Sequence, residues 1–326
     1  MGAGSWGTAL ANLLAKKGYE TLVWSFEKDV AEAIEKENRN PRYLSNTELD
    51  PRLRATSSLE DAVRGAPIVV SVSPSHVVRQ VMTEAGRYMS GGALVVSASK
   101  GIENDSLQMM DAVLAEALPK NNRIAFLSGP SFALEVAREF PTAVTMASHN
   151  AEAAEMGQEL FQTEYFRVYT SEDVPGVEIG GSLKNVMAIA SGAVDGLGYG
   201  HNTTAALITR GLAEMTRLGV ALGADPMTLA GLAGMGDLIL TCTGGLSRNR
   251  SVGVALGKGK KIADILGEMT MVAEGVKTAR SARELARKHD VEMPIVEEVY
   301  AMLYEGRPAQ EALENLMLRE PKSERD

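Results

Sequence analysis

Between Thr21 and Leu127 the chain returns four times to a short apolar, β-branched run, and helix-like segments lie between the returns. The runs are Thr21-Leu22-Val23-Trp24, Ile68-Val69-Val70-Ser71-Val72, Leu94-Val95-Val96-Ser97 and Ile124-Ala125-Phe126-Leu127. Residues 8–17 read as a helix, as does Glu27 to Asn38 with Val30, Ala31 and Ile34 facing inward, and another is expected around 105–117. Parallel strands need a long crossover, usually a helix, so this alternation dictates βαβ units: a doubly wound α/β sheet with right-handed connections. After about residue 170 the strand signals stop. Ile208, Leu212, Met215 and Leu222 mark one face of a helix over 203–222, Asp225-Pro226 opens another, and helical patterning continues through 278–290 and 294–305.

Composition narrows the function. At roughly 150 residues per domain, 326 residues suggest two domains. A net charge of -9 and only 5% aromatic residues argue against a polyanion binder or a stacking platform for nucleic acid. The single cysteine, Cys242, excludes an intrachain disulfide framework and a thiolate zinc site, and His76, His149, His201 and His289 lack metal spacing, so no metal is assigned. His76, just after a strand, is placed at the wall of a ligand crevice. No apolar run approaches the roughly 18 residues of a membrane span. The chain opens on glycines rather than a basic segment, and Trp6 stands where a myristoylation signal wants Ser or Thr. The expectation is a cytoplasmic protein acting on a small molecule.

Gly2-Ala3-Gly4-Ser5-Trp6-Gly7 fits G-x-G-x-x-G and runs straight into a helix. Gly2, Gly4 and Gly7 would give a tight turn, close approach of backbone to a pyrophosphate, and close helix packing. Glu27, 20 residues after Gly7, is placed either to hold a ribose 2′-hydroxyl or simply to start a helix in solvent. Residues 1–170 are thus expected to form a Rossmann-type dinucleotide-binding domain, and 171–326 an all-helical substrate and catalytic domain. One part is missing: the fingerprint should follow a strand, yet only Met1 precedes Gly2. That first strand is central in the usual order, so the sheet is expected to lack it, and the natural protein is expected to begin upstream.

Further segments carry polar groups in unusual settings. Lys100, in Ser99-Lys100-Gly101, should emerge at the carboxyl end of a strand, although a lone lysine there is commonly a surface residue. Ser128-Gly129-Pro130-Ser131 follows the next strand in the same way. Lys184 has apolar neighbours Leu183, Val186, Met187 and Ile189, whose burial would lower its pKa into a useful acid–base range; the alternative is a lysine snorkelling from a helix end. Asp237, in Gly-Met-Gly-Asp, reads from spacing alone as a helix cap. Ser247-Arg248-Asn249 reads either as a helix start offering donors to a phosphate or as a solvated charged turn.

Together these segments closely resemble the NAD(P)-dependent glycerol-3-phosphate dehydrogenases of the bacterial type. The resemblance runs over residues 2–11, 99–101, 128–133, 183–186, 207–215, 236–243, 247–250 and 274–275, from Gly2 almost to the end. It implies reversible, NAD(P)H-dependent reduction of dihydroxyacetone phosphate to sn-glycerol 3-phosphate, for phospholipid synthesis, by a homodimer. It implies Lys184 as general acid and base, Lys100 and Asp237 orienting the substrate, and Gly129 and Ser131 lining it. Ser247, Arg248 and Asn249 would hold its phosphate. Ser5, Trp6, Lys100, Ala133, Arg248, Val272 and Glu274 would contact the dinucleotide. Glu27 would repel a 2′-phosphate, so NADH is the expected preference. The alternatives are another two-domain β-hydroxyacid or ketoacid reductase, or a dinucleotide-binding relative impaired by the missing strand.

Overall fold

The computed structural model describes every residue except Thr270, Lys322, Arg325 and Asp326. Helix α1 (Ser5–Lys16) starts directly after Gly4 and leads to strand β1 (Leu22–Trp24) and helix α2 (Lys28–Glu37). Strands β2 (Arg39–Asn40) and β3 (Leu44–Glu48) form a small antiparallel hairpin, after which β4 (Arg54–Thr56) pairs in parallel with β1. Helix α3 (Leu59–Val63) precedes β5 (Ile68–Ser71), α4 (Ser75–Gly86), β6 (Leu94–Ser97), α5 (Met110–Ala117) and β7 (Arg123–Ser128). Then come α6 (Ala133–Ala137), β8 (Thr142–Ala147), α7 (Ala151–Phe161) and β9 (Phe166–Ser171).

Strands β5 to β9 make one sheet in chain order. Strand alternation sends Val69, Val95 and Phe126 toward Val78 and Met82 of α4 and Leu114 of α5. Leu94, Val96, Ala125 and Leu127 face Leu10 and Leu13 of α1 and Phe161 of α7. The sheet is therefore wound on both faces, as the alternation predicts. It is not wholly parallel: β7 and β8 run antiparallel. Between them the short α6 joins the cluster that α1 and β1 build, instead of crossing a face, so the chain re-enters from the end it left. Strands β8 and β9 lack the continuous apolar runs of β5 to β7. β9 alternates instead, with Phe166 and Val168 buried and Arg167 and Tyr169 exposed, the pattern of an edge with one wet face.

Strands β1 and β5 do not pair with each other. Met1 and Gly2 lie in the slot between them. The Met1 ammonium donates to Val70 O at 2.8 Å, Val72 N–H donates to Met1 O at 2.9 Å, and Gly2 N–H donates to Trp24 O at 3.0 Å. Two residues thus bridge the sheets where the fingerprint calls for a strand, and burial pushes the α-amino group down to about 5.

The second half is helical: α8 (Val174–Gly196), α9 (His201–Ala221), α10 (Pro226–Leu229), a π-helical turn (Leu232–Gly236), α11 (Asp237–Thr243), α12 (Arg248–Gly257), α13 (Ile262–Glu268), α14 (Glu274–Lys288), α15 (Pro294–Tyr304) and α16 (Ala309–Met317). Helix α8 is its axis, buried at nearly every position from Val174 to Val194 and capped by Asp173, which accepts from Gly176 N–H at 2.9 Å. Helix α12 touches it backbone to backbone. A Cβ on Gly192 would lie 2.0 Å from Arg250 O, and one on Gly253 2.0 Å from Ile189 O. That close crossing brings the start of α12 alongside the middle of α8. Among the described residues no single helix is long and apolar enough to cross a membrane, and one bent pair, 226–243 with 248–257, passes on length and composition alone.

Candidate active site

Lys184 lies in the interior of α8, not at a helix end, and only 8% of it is exposed. Its Nζ donates to Asp237 Oδ1 at 2.5 Å and to Thr241 Oγ1 at 3.0 Å. Lys100, just beyond β6, donates to the other oxygen, Asp237 Oδ2, at 2.6 Å and to Gly129 O at 3.4 Å. Asp237 is 1% exposed. Its side chain caps nothing; the capping expected from spacing gives way to a carboxylate gripped by two ammonium groups. Burial alone would raise the Asp237 carboxyl, but Lys100 and Lys184 together hold it below its ordinary value. Burial lowers Lys184 to about 8, with Lys100 pushing the same way against the pull of Asp237. The result is a lysine able to exchange a proton near neutral pH, beside a second fixed cation.

Several neighbours shape this centre. Ser131 Oγ donates to Gly129 O at 2.9 Å, fixing the turn that faces Lys100. Gly181, one turn before Lys184, has no side chain because a Cβ there would lie 2.7 Å from Ser128 Oγ and 3.5 Å from Lys100. Thr241, within the 236–243 segment, is a direct partner of Lys184. Its own hydroxyl donates to Asp237 O at 2.6 Å, one helical turn back.

At the start of α12, Ser247 Oγ accepts from Arg250 N–H at 3.2 Å as the N-cap, which leaves the first-turn N–H groups of Arg248 and Asn249 unused by the helix. Arg248 is exposed there. Asn249 is buried and also has partners within the protein. Its Nδ2 donates to Asn185 Oδ1 and its Oδ1 accepts from Gly275 N–H, both at 2.9 Å, so its side chain locks α12 to α8 and α14.

The glycine loop meets the requirements of a dinucleotide. Gly2 has φ +103°, and a Cβ on Gly7 would lie 1.9 Å from Gly2 O, so the turn and the helix packing both exclude side chains. A Cβ on Gly4 meets nothing within 4 Å, which is open space at the N-terminus of α1. Trp6, Tyr43 and Ala133 pack on one cluster, and the buried Trp6 Nε1 has no partner among the described residues. Ser5 Oγ donates to Tyr43 O at 2.6 Å and approaches Met271 Sδ at 3.7 Å. Next to Met271, Val272 is exposed, while Glu274 accepts from Ser75 Oγ at 2.7 Å. The 271–274 segment therefore reaches from the helical half to the glycine loop and to the start of α4. Glu27, beyond β1, accepts from Tyr43 OH at 2.6 Å rather than standing free in solvent. His76 is exposed at the start of α4. Tyr43 and Ser75 carry no signal in the sequence, because only the fold brings them to Ser5 and to Glu274.

Residues 1–154 and 173–314 match the family models for the N-terminus and the C-terminus of NAD-dependent glycerol-3-phosphate dehydrogenase. The chain is 58% identical to the glycerol-3-phosphate dehydrogenase (NAD(P)+) of Geobacter metallireducens over 100% of its own length and 98% of that relative. It is 54% identical to the enzyme of that name from Myxococcus xanthus, over 99% and 97%. The crystal structure of glycerol-3-phosphate dehydrogenase from Coxiella burnetii superposes with a TM-score of 0.94 at 40% identity, covering 98% of this chain and 97% of that one.

Proposed function

The chain belongs to the NAD-dependent glycerol-3-phosphate dehydrogenase family, and on that premise we propose how its side chains divide the reaction. It is an NAD(P)-dependent oxidoreductase that reduces dihydroxyacetone phosphate reversibly to glycerol 3-phosphate. The dinucleotide belongs at the glycine loop, with Gly2, Gly4 and Gly7 admitting the pyrophosphate and Ser5, Trp6, Ala133, Val272 and Glu274 around it. When bound, it supplies the hydride.

Lys184 gives its proton to the C2 oxygen as negative charge develops there, and takes it back in the reverse direction. Lys100 is the second cation at that oxygen and turns toward the dinucleotide as well. Asp237 keeps the buried Lys184 ammonium and the partly buried Lys100 ammonium together, which would otherwise repel each other. Gly129 and Ser131 line the substrate. The phosphate is held at the start of α12 by Ser247, the Arg248 guanidinium and the backbone N–H groups of Arg248 and Asn249. Residues 1–170 serve as the dinucleotide domain and 171–326 as the substrate domain, in a cytoplasmic homodimer that prefers NADH and supplies phospholipid synthesis.

The observation that carries this reading is the Lys184–Asp237–Lys100 triad at the carboxyl end of the sheet, with Lys184 and Asp237 buried and Lys100 partly exposed. Following NADH oxidation with dihydroxyacetone phosphate and with dihydroxyacetone tests it. We expect turnover with the phosphate ester and little with the free ketone; equal rates would remove the α12 phosphate site and favour a general ketoacid or hydroxyacid reductase.

A further inference from the structure

The turn Pro41-Arg42-Tyr43 is tied to the glycine loop at three points. Asn40, fully buried, donates through Nδ2 to Ala3 O and to Thr8 Oγ1, both at 2.8 Å, and accepts from Tyr43 N–H at 3.0 Å. Ser5 Oγ holds Tyr43 O, and Tyr43 OH holds Glu27 Oε1. A segment far from the fingerprint in sequence is thereby fixed to it, and it carries a cation. Arg42 Nη1 lies 3.9 Å from Glu27 Oε1, its guanidinium sits 5.7 Å from the Tyr43 ring centroid, and its side chain is 47% exposed.

Glu27 occupies the position that reads a ribose 2′-hydroxyl, so a 2′-phosphate brought there meets a carboxylate. Like charges at such a distance disfavour binding unless a cation stands on the same side. Arg42 is placed to be that cation. Its pairing with Glu27 is long and exposed, and so weak. A phosphate offers the planar fork a bidentate acceptor, a much stronger partner. We propose that Arg42 is the residue that admits a 2′-phosphorylated dinucleotide to this enzyme, by leaving its loose contact with Glu27 and pairing with the 2′-phosphate. The inference rests on the dehydrogenase reading above and extends it to cofactor discrimination. Glu27 favours the unphosphorylated ribose, and Arg42 keeps that preference small. Lys28, the next cation along the chain, is exposed at the start of α2 without an ion pair among the described contacts, so nothing orients it.

Calorimetric titration of NADPH and NADH into the full chain, and into Arg42→Ala and Arg42→Lys, tests the assignment. We expect the ratio of the two Kd values, NADPH over NADH, to rise about tenfold or more in Arg42→Ala, the usual range for a lost charge-assisted hydrogen bond, with Arg42→Lys recovering part of it. A ratio that stays put, or a parallel loss of both cofactors, overturns the proposal, since the turn would then only prop Tyr43. A larger change of the ratio in Lys28→Ala overturns it too. A wild-type chain that bound neither dinucleotide would sink the dehydrogenase reading as a whole. Ordinary turnover of dihydroxyacetone phosphate with NADH, beside an unmoved ratio, sinks only the role of Arg42.

Discussion

The two halves of this molecule prepare for their ligands in opposite ways. In the sheet half the prepared groups are mostly backbone: a glycine turn, a helix N-terminus and open space over Gly4, where a side chain would obstruct. In the helical half they are charged side chains taken out of water, Lys184 in the middle of the buried α8 and Asp237 at the start of α11. A backbone site tolerates much exchange around it and fails when a Cβ intrudes. A desolvated charge site fails when any one partner is removed, because the others are left unpaired. The two halves should therefore respond to different substitutions with different kinetic signatures.

The largest contrast is expected at Lys184. Lys184→Ala should lower kcat by at least about 100-fold, the low end for general acid–base catalysis, while NADH affinity changes little. Steady-state rates with a parallel binding titration check this, and near-normal kcat would take Lys184 out of the mechanism. The mirror case is Gly7→Ala, whose Cβ would lie 1.9 Å from Gly2 O. Here the NADH Kd should rise about tenfold or more, equivalent to roughly 1.4 kcal/mol, and saturating cofactor should restore much of the rate. If instead kcat fell and Kd held, the division between the halves would be wrong.

The pH response sharpens the comparison further. Lys184 sits at about 8, so reduction, which needs its ammonium form, should decline as pH rises through about 8. Oxidation of glycerol 3-phosphate needs the neutral amine and should rise over the same interval. Initial rates in both directions decide it; curves that move together would mean the titrating group is not the proton carrier. The smallest effect concerns the cofactor. Glu27 should give NADH a several-fold advantage over NADPH in kcat/KM, and a higher value with NADPH would refute the preference.

Much of this was legible in the residues. The glycine spacing reports a local backbone requirement, so Gly2 and Gly7 could be read without knowing what surrounds them. Apolar neighbours marked Lys184 for burial, since helical periodicity is itself local. Asp237 was not legible in the same way. A Gly-Met-Gly-Asp turn looks like a cap, and nothing nearby in the chain announces two lysines that arrive 53 and 137 positions away. Nor does anything near Asn249 in the chain announce the partners of its side chain, Asn185 and Gly275. The edge strand β9 was missed because one wet face dilutes an apolar run.

By itself, then, the sequence determined what depends on neighbours along the chain: the βαβ alternation, the glycine turn, the helical second half and the segments that share a family's order and spacing. The tertiary structure alone decided which distant charges meet. It set Lys100 and Lys184 on one carboxylate, and it stitched the 41–43 turn to the glycine loop through Asn40. It also laid Met1 and Gly2 between β1 and β5. The physical reason is range. Backbone preference and hydrophobic period act over a few residues, whereas the pairing of buried charges and polar groups is fixed only when whole elements have packed and water has left.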